Sequence, residues 1–396
     1  MDNINIVELI SSCLNNDLSN QPIYLHEPDF SESKAKEYVN QCIESGWVSS
    51  AGKWVEKFEK KLSELTGAKY AIAVSNGTVA LRLALFLVGV RNNDEVLIPP
   101  LTFVATANAV SHLGAKPHFI DIESESLGMS PYSLRQRLDS IAYRKNGNVY
   151  NRETGNRIAA VVPVHIFGLP AKIKDLKNIC QMWNLPLIED AAEALGSQIL
   201  ENEKFKSCGC FGDIGILSFN GNKVITTGGG GAILTNNKVF AEKAKHLSTT
   251  AKINHPWEFF HDQVAWNDRL PNINAALGCS QLESLEAKLE KKRLLHSKYT
   301  EVFSRYQDFE ILKENKGTKS NYWLVTLRLL SKEDDVLRDK IISQAHKSNL
   351  YLRPAWTPLN KLPMYKDHPS DNLVICENQF KRLINLPSSP QLISQK

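Results

Sequence analysis

The chain has 396 residues, which is enough for two domains that share an interface. Apolar residues make up 42% of it, charged residues 23%, and the net charge is +4, so the composition gives no indication of binding to nucleic acid or to a membrane. Apolar runs end well short of the roughly 18–20 residues that span a bilayer. An acidic start without a signal-peptide pattern and seven unevenly spaced cysteines predict a cytoplasmic protein with reduced thiols.

Helical patterns open the chain. Residues 1–25 are predicted to form a polar helical extension. Residues 31–46 form an amphipathic pattern, with Ser31 as the expected N-cap and Gly46 as the expected stop.

Between about residues 70 and 235, helical patterns such as TVALRLALFLVGV and DLKNICQMWN alternate with short apolar segments. These segments are rich in Val and Ile and carry apolar residues at consecutive positions: AIAVSNG, EVLIPP, KPHFIDI, IAAVVPVHIFG, LPLIEDAA, IGILSF and GAILTN. The alternation predicts a mainly parallel sheet covered by helices on both faces. We therefore assign residues 26–275 to a large α/β domain.

The pattern changes in the last third of the chain. A long, charge-rich helical pattern covers about residues 275–306, and the segment NYWLVTLRLL and a helix near residues 333–348 follow it. We assign residues 276–396 to a small α+β domain.

Polar and aromatic residues follow five of the apolar segments at the point where each ends. They are Ser75–Thr78, Thr102 and Phe103, His165, Asp190, and Ser218 with Lys223. Because ligands of open parallel sheets bind beyond the carboxyl ends of the strands, we expect these residues to meet at one site.

The Gly77-Thr78 pair at a predicted helix start offers backbone N–H groups and a hydroxyl, which suits a phosphate. Taken alone, Asn-Gly is also an ordinary turn and Thr an ordinary cap. The later GGGG run matches no P-loop, because the G-x-x-x-x-G-K-[ST] pattern is absent. Cys208 and Cys210 form a C-x-C pair without further zinc ligands, so we expect no metal site.

Lys223 and Asp190 carry the main functional hypothesis. A lysine forms a Schiff base with a carbonyl, and pyridoxal phosphate needs such a lysine together with a carboxylate at its ring nitrogen. Each residue alone is more often structural, since a strand-end Asp commonly caps a helix and a Lys is usually a surface charge. Their combination with a phosphate cradle and an aromatic ring predicts a pyridoxal phosphate site.

The sequence resembles the DegT/DnrJ/EryC1/StrS sugar aminotransferases, which have the type I (aspartate aminotransferase-like) fold of pyridoxal phosphate enzymes. The resemblance covers residues 46 to about 285, with weaker likeness to the C-terminus. The motifs that carry it are GWVSSAGKWVEKFEKKLSELTGAKYAIAVSNGTVALRLAL, PPLTFVATANAV, VPVHIFG, IEDAAEALGS, FGDIGILSFNGNKVITTGGGGAILTN and WNDRLPNINAALGCSQLE.

The resemblance implies roles for individual residues. Lys223 attaches the cofactor and moves protons, Asp190 pairs with the ring nitrogen, and Phe103 stacks on the ring. Gly77, Thr78 and Ser218 bind the phosphate. In a homodimer, Asn267 of the neighbouring subunit also reaches this phosphate.

Two further residues have less certain roles in this resemblance. Glu193 stands near the ring hydroxyl, where many relatives have Gln, and a carboxylate there needs a proton or a donor. His165 is either close to the cofactor or a buried structural histidine.

Relatives that replace the lysine with histidine perform dehydration, so Lys223 favours amino transfer over that alternative. The implied reaction moves an amino group from L-glutamate to a ketone of a nucleotide-linked sugar. The motifs look most like the legionaminic acid and bacillosamine branch, whose substrate is UDP-4-keto-6-deoxy-N-acetylglucosamine. The alternative substrate is a GDP-perosamine-type sugar or another keto sugar nucleotide. A lyase and a non-catalytic binding protein are hypotheses from other classes.

Candidate substrate contacts are aromatic residues and one cation, because a nucleotide sugar needs a flat apolar surface and a partner for its diphosphate. Structural roles compete for each of these residues: Trp257, Tyr322, Arg353 and Trp356. Ser49 and Ser50 are predicted to lie in a loop at the entrance.

Overall fold

The computed structural model describes residues 5–15, 21–31, 33–330 and 335–393. The helices are α1 (Ile6–Cys13), α2 (Ala35–Ser45), α3 (Lys53–Thr66), α4 (Gly77–Leu87), α5 (Ala105–Ser111), α6 (Pro131–Ile141), α7 (Ile173–Trp183), α8 (Lys238–Ser248), α9 (Asn272–Glu283), α10 (Leu285–Phe303), α11 (Asp335–Lys347) and α12 (Val374–Phe380). In this part of the chain, no helix combines the length and apolar character that crossing a bilayer requires.

The strands are β1 (Tyr70–Val74), β2 (Glu95–Ile98), β3 (Lys116–Phe119), β4 (Ala142–Lys145), β5 (Asn148–Asn151), β6 (Arg157–Val161), β7 (Ile188–Asp190), β8 (Gln198–Glu201), β9 (Lys204–Ser207), β10 (Ile214–Ser218), β11 (Gly231–Thr235), β12 (Phe309–Ile311), β13 (Thr318–Lys319), β14 (Val325–Leu329), β15 (Arg353–Pro354) and β16 (Leu383–Leu386). The apolar segments of the sequence account for β1, β2, β3, β6, β7, β10 and β11, as predicted.

These seven strands form the central sheet. One part has the order β1-β11-β10-β7, and the other contains β3-β2-β6. Parallel bridges from Val161 to Leu187 and from Val164 to Asp190 connect β6 to β7. Strand β11 is antiparallel to β1 and β10, whereas β10 pairs with β7 and β2 pairs with β3 and β6 in parallel. The parallel strands therefore end at the same edge of the sheet.

Two hairpins were not predicted. Strands β4 and β5 form an antiparallel hairpin that pairs with the beginning of β6, and β8 and β9 form another that pairs with β13. Their residues alternate between buried and exposed or are largely polar, so they lack the consecutive apolar residues of the central strands.

The last part of the chain forms an antiparallel sheet with the order β12-β14-β16-β15. The long helix predicted over residues 275–306 is two helices, because the chain leaves the helical conformation at Ser284 between α9 and α10. The apolar core is one cluster that includes residues from both parts of the chain. The division into residues 26–275 and 276–396 stays a prediction.

The N-terminal extension packs onto the C-terminal part of the chain. Helix α1 contacts α10 and α11, with Ile10 and Cys13 fully buried. Ile23 forms a parallel bridge with Leu350. Gly46 ends α2 at a φ of 72°, as predicted, but Ser31 does not cap this helix. Ser31 instead donates hydrogen bonds to Asp29, because the helix begins only at Ala35.

Candidate active site

A cavity of about 380 Å³ opens at the carboxyl ends of the parallel strands. The predicted residues that line it come from segments far apart in the sequence: Gly77, Thr78, Phe103, Asp190, Glu193, Ser218, Lys223, Arg353 and Trp356. The structure therefore brings together most of the side chains that the strand-end pattern selected. We call this cavity the active cavity.

Lys223 lies in the loop between β10 and β11, and the backbone N–H of Lys223 donates to the carbonyl of Asn220 at 3.0 Å. The Lys223 Nζ atom lies 3.5 Å from Glu193 Oε1 and 3.8 Å from the centroid of the Trp323 ring. An ammonium is attracted by both the carboxylate and the negative face of the indole. These contacts hold the amine inside the active cavity, with only 13% of the side chain exposed.

Asp190 ends β7, and the backbone places its carboxyl group in the wall of the active cavity. The Asp190 Oδ2 atom accepts a hydrogen bond from Thr106 Oγ1 at 2.9 Å, and Oδ1 accepts one from the Ala192 N–H at 3.2 Å. Burial raises the pKa of Asp190, although these donors and Lys223 oppose the rise. A cation in the cavity would stabilise the ionised carboxylate further.

Glu193 faces the same cavity from the loop after β7. The Glu193 Oε2 atom accepts a hydrogen bond from the Phe167 N–H at 2.7 Å. Burial raises the pKa of Glu193 to about 7, and the charge of Lys223 acts in the opposite direction. The side chain is therefore poised to exchange a proton near neutral pH.

The start of α4 provides an anion cradle. Asn76 caps the helix, since its side chain accepts from the Val79 N–H at 2.9 Å. The first N–H groups of a helix have no partner inside it, and the helix dipole favours an anion there. A Cβ atom on Gly77 would lie 2.9 Å from the Ser218 Cβ, so only glycine lets α4 approach β10 this closely.

The glycine run after Lys223 is also explained by close packing against the start of α4. A Cβ atom on Gly231 would lie 2.5 Å from the carbonyl carbon of Asn76, which is closer than side-chain contacts allow. Gly228 adopts a φ of 82°, which favours glycine. The glycines thus let the chain pass the helix start that forms the anion cradle.

Pyridoxal phosphate fits this set of groups. The cradle at α4 suits its phosphate, Asp190 suits a cationic ring nitrogen, and Lys223 supplies the amine that attaches it. Phe103 lines the same cavity and has half of its side chain exposed, so its ring is free to stack on a ligand. When bound, the cofactor supplies an electron sink. The chain supplies the amine, the charge partners and the proton-exchanging groups.

His165 lies behind the active cavity and is not among its lining residues. The ring is fully buried, and its Nδ1 atom accepts a hydrogen bond from the Ala171 N–H at 3.1 Å. The Nε2 atom therefore carries the hydrogen and donates to Glu189 Oε2 at 3.0 Å. Both ring nitrogens are occupied, which favours the structural alternative for this residue. The Cys208 and Cys210 thiols are also buried and free.

Four of the six predicted substrate contacts lie outside the active cavity. Tyr322 is 4% exposed, stacks on His296 and contacts the Glu314 backbone, so a substrate does not reach it in this chain. Ser49 accepts a backbone hydrogen bond from Asn272 at 2.6 Å, and neither it nor Ser50 lines the cavity. Trp257 is 77% exposed on a surface loop. The prediction for Tyr322 is therefore corrected, whereas the roles of Ser49, Ser50 and Trp257 as substrate contacts stay predictions.

Asn267 is exposed and pairs with Thr249, and its side chain accepts from Arg269 Nε at 3.0 Å. It does not line the active cavity of its own chain. Its assigned role concerns the cavity of a neighbouring subunit and stays a prediction.

Several residues that line the active cavity were not predicted from the sequence, and Trp323 and Thr106 are the most important of them. Trp323 faces Lys223, one position after the predicted Tyr322. Tyr322 has a φ of 46°, so the backbone at this position is not that of an extended strand. Thr106 offered a weak signal, since it lies one helical turn after Thr102 in the motif PPLTFVATANAV. The two hydroxyl oxygens lie 3.1 Å apart.

The fold and the active cavity define a type I pyridoxal phosphate-dependent transferase. A family model described as the DegT/DnrJ/EryC1/StrS aminotransferase family matches residues 30–396, and the chain belongs to this family. A relative named GDP-perosamine synthase, from Escherichia coli O157:H7, is 35% identical over 95% of each chain. A relative from Campylobacter jejuni serotype O:23/36, named UDP-4-amino-4,6-dideoxy-N-acetyl-beta-L-altrosamine transaminase, is 30% identical over 87% of each chain.

Among solved structures, a DegT DnrJ EryC1 StrS aminotransferase from Brucella abortus superposes with a TM-score of 0.81. That chain is 26% identical, and the match covers 91% of each chain. The predicted family and fold class are therefore confirmed. The protein is a sugar aminotransferase, and its cofactor is pyridoxal phosphate.

Proposed function

We propose that the protein transfers an amino group from L-glutamate to the ketone of a GDP-linked 4-keto-6-deoxy sugar of the perosamine type. The observation that carries the transfer reaction is the convergence of Lys223, Asp190 and Glu193 in one cavity. A lysine attaches the cofactor, the aspartate keeps its ring cationic, and the glutamate exchanges a proton beside the amine.

The choice of sugar rests on the relatives. The sequence motifs favour a UDP-linked N-acetyl sugar, with a GDP-perosamine-type sugar as the alternative. The relative named for GDP-perosamine matches more of the chain, at higher identity, than the one named for a UDP sugar. The alternative is therefore the better supported substrate. A cytoplasmic reaction that supplies a surface polysaccharide is part of this proposal.

The decisive experiment combines the purified protein with pyridoxal phosphate, L-glutamate and one keto sugar at a time. GDP-4-keto-6-deoxymannose and UDP-4-keto-6-deoxy-N-acetylglucosamine are tested in parallel, with Lys223→Ala as the matched control. We expect 2-oxoglutarate and a GDP-linked amino sugar, identified by mass, and neither product from the control. Amination of the UDP sugar alone would refute the GDP assignment. Sugar breakdown without 2-oxoglutarate would identify elimination.

A homodimer with shared active sites is the second part of the proposal. Asn267 is exposed, and the preceding loop presents Trp257, Phe259, Phe260 and Val264 with 61% to 93% of each residue exposed. Apolar side chains grouped in this way are common where another protein surface covers them. This arrangement supports a role for Asn267 at the cavity of a second copy.

Mixing two impaired variants tests the shared site. Lys223→Ala removes the attachment amine, and Asn267→Asp places a negative charge beside the neighbouring phosphate. If the sites are shared, reassembled mixed dimers contain one site with both native residues and regain part of the activity. Each variant alone stays impaired. A mixture no more active than its components, with mixed dimers confirmed by mass, would exclude the shared arrangement.

A further inference from the structure

Hydrogen bonds fix the position of Trp323 in the wall of the active cavity. The residue is 2% exposed and lies between β13 and β14. Its backbone N–H donates to Asn321 Oδ1 at 2.8 Å, and its carbonyl accepts from Lys292 Nζ at 3.1 Å. The indole Nε1–H donates to the carbonyl of Asn222 at 2.6 Å. Because both the backbone and the ring are held, the orientation of the indole is fixed.

This indole contacts Lys223 in two ways. Its face lies against the amine, with the ring centroid 3.8 Å from Lys223 Nζ. Its N–H binds the carbonyl of Asn222, the residue directly before Lys223 in the chain. A lysine has a flexible four-carbon stem, so a free amine samples many positions unless contacts restrict it. Trp323 restricts both the amine and the loop that carries it.

Asn321 connects Trp323 to the other group that contacts the amine. While its Oδ1 atom accepts from the Trp323 N–H, its Nδ2 atom donates to the carbonyls of Glu193 and Leu195 at 2.8 Å and 2.9 Å. Asn321 is 1% exposed, so this buried amide fixes the indole relative to Glu193. An aromatic face attracts a cation but cannot accept its proton, whereas a carboxylate can do both. The two groups beside Lys223 Nζ therefore have different roles.

A substrate contact is the other role open to an aromatic residue in this cavity. The one polar atom of the indole, Nε1, already binds Asn222, and the Lys223 amine lies over the ring. These interactions are made within the chain and need no substrate. They favour a role toward the lysine over a role toward the sugar.

We propose that Trp323 is a positioning residue for Lys223. The indole holds the amine beside Glu193 whenever the lysine is not attached to the cofactor, so that attachment and proton exchange begin from the correct geometry. Asn321 and Lys292 hold the indole in this place without lining the active cavity themselves. The role concerns the lysine and is the same for any sugar that the protein aminates.

The rate at which pyridoxal phosphate attaches to the cofactor-free, full-length protein tests this role. Attachment joins the amine nitrogen to the aldehyde carbon and releases one water molecule, and absorbance follows it at saturating cofactor without any sugar. Trp323→Leu should slow attachment about 10–100-fold, because the ring face and the hydrogen bond to Asn222 are both lost. Trp323→Phe keeps an aromatic face and should slow it only about three- to tenfold. Trp183→Leu is the matched control, since Trp183 also faces a cation, Arg144, but lies outside the active cavity. It should attach the cofactor at the wild-type rate.

Pyridoxamine phosphate separates positioning from a general disruption of the cavity. It has no aldehyde and forms no bond with Lys223, so Trp323→Leu should bind it like the wild type. A wild-type attachment rate in Trp323→Leu would overturn the inference, because a tryptophan that contacts only the sugar leaves this rate unchanged. A matching loss of pyridoxamine phosphate affinity, or attachment in Trp323→Phe as slow as in Trp323→Leu, would also overturn it. If Trp323→Leu does not fold, a wild-type attachment rate in Trp323→Phe is the result that rejects the role.

Discussion

The two faces of β7 carry adjacent acids in opposite surroundings. Glu189 lies behind the sheet, where it accepts hydrogen bonds from His165, from the backbone of Gly209 and Gly212, and from Phe211. Burial alone would raise the pKa of Glu189, but the His165 and backbone hydrogen bonds outweigh it and lower the pKa. On the cavity side, burial raises the pKa of Asp190 and of Glu193.

The difference lies in the number of donors, since all three acids are buried. A carboxylate that accepts hydrogen bonds from several donors has a structural role, whereas one with few donors in a cavity wall can still bind a cationic ligand or a proton. Burial alone therefore does not separate structural from functional acids in this protein. The number of hydrogen-bond donors to each carboxylate does separate them. It predicts that a substitution of Glu189 lowers stability, whereas a substitution of Asp190 lowers activity.

The largest effect on stability is expected on the saturated face. Glu189→Ala leaves His165 and several backbone N–H groups without an acceptor, and removing one member of such a buried charged network costs about 3–5 kcal/mol of unfolding free energy. Urea unfolding measures the loss. Glu64→Ala is the control, because its side chain is 63% exposed and a change within about 0.5 kcal/mol is expected. A similarly small change for Glu189→Ala would contradict the structural role.

On the cavity face, Asp190→Asn should reverse this outcome. The amide has nearly the shape of the acid but cannot stabilise a cationic ring, so kcat/KM should fall roughly 10²–10³-fold. The unfolding free energy should stay level or rise, because a neutral group is cheaper to bury. Amino transfer and urea unfolding are measured on the same preparation. A loss of stability as large as that of Glu189→Ala would make Asp190 a structural acid.

Glu193 should give the unfolding free energy a specific pH dependence. Its pKa is raised from 4.5 to about 7, so the folded state favours the protonated form. The stabilising effect of protonation is fully present below pH 4.5, and about 3 kcal/mol of it is lost as the pH rises from there through 7. In Glu193→Gln this loss is absent, so the variant should gain stability relative to the wild type between pH 5 and pH 8. Cofactor-free protein is unfolded in urea at both pH values, and a difference that does not change with pH would contradict the expectation.

The smallest expected effect concerns the hydroxyl that supports Asp190. Thr106→Val keeps the shape of the side chain but removes the hydrogen bond to Asp190 Oδ2. Because one charge-assisted hydrogen bond is lost, kcat/KM should fall about tenfold. Thr106→Ser retains a hydroxyl and should restore most of the activity. Equal losses in both variants would attribute the effect to packing.

Much of the site was predictable because it follows from where strands end. Lys223, Asp190 and the Gly77-Thr78 pair lie next to apolar segments that are buried on both faces, and such segments are visible as consecutive apolar residues. Parallel pairing then determines that these ends meet. The hydrogen bonds that distinguish Glu189 from Asp190 are not visible in the sequence, because most of their donors are backbone groups, at Gly209, Phe211 and Gly212 for Glu189 and at Ala192 for Asp190.

The errors have identifiable physical causes. Two predicted helices differ because local conformation changes at single residues: α2 begins at Ala35, after Ser31 has bonded to Asp29, and α10 begins after a break at Ser284. Tyr322 was named as an aromatic substrate contact in place of Trp323, because the sequence does not show the positive φ of Tyr322 or the burial of its ring against His296. The N-terminal segment looked like a polar addition, although Ile10 and Ile23 are buried.

The bridge between Ile23 and Leu350 has a consequence for how the protein is made. These two residues are separated by most of the polypeptide, and contacts of such long range form late in folding. During synthesis, nearly the whole chain must leave the ribosome before the N-terminal segment can pair with Leu350. The nascent protein can complete its central sheet earlier, but the stacking contact between Tyr24 and Tyr351 forms only after translation ends.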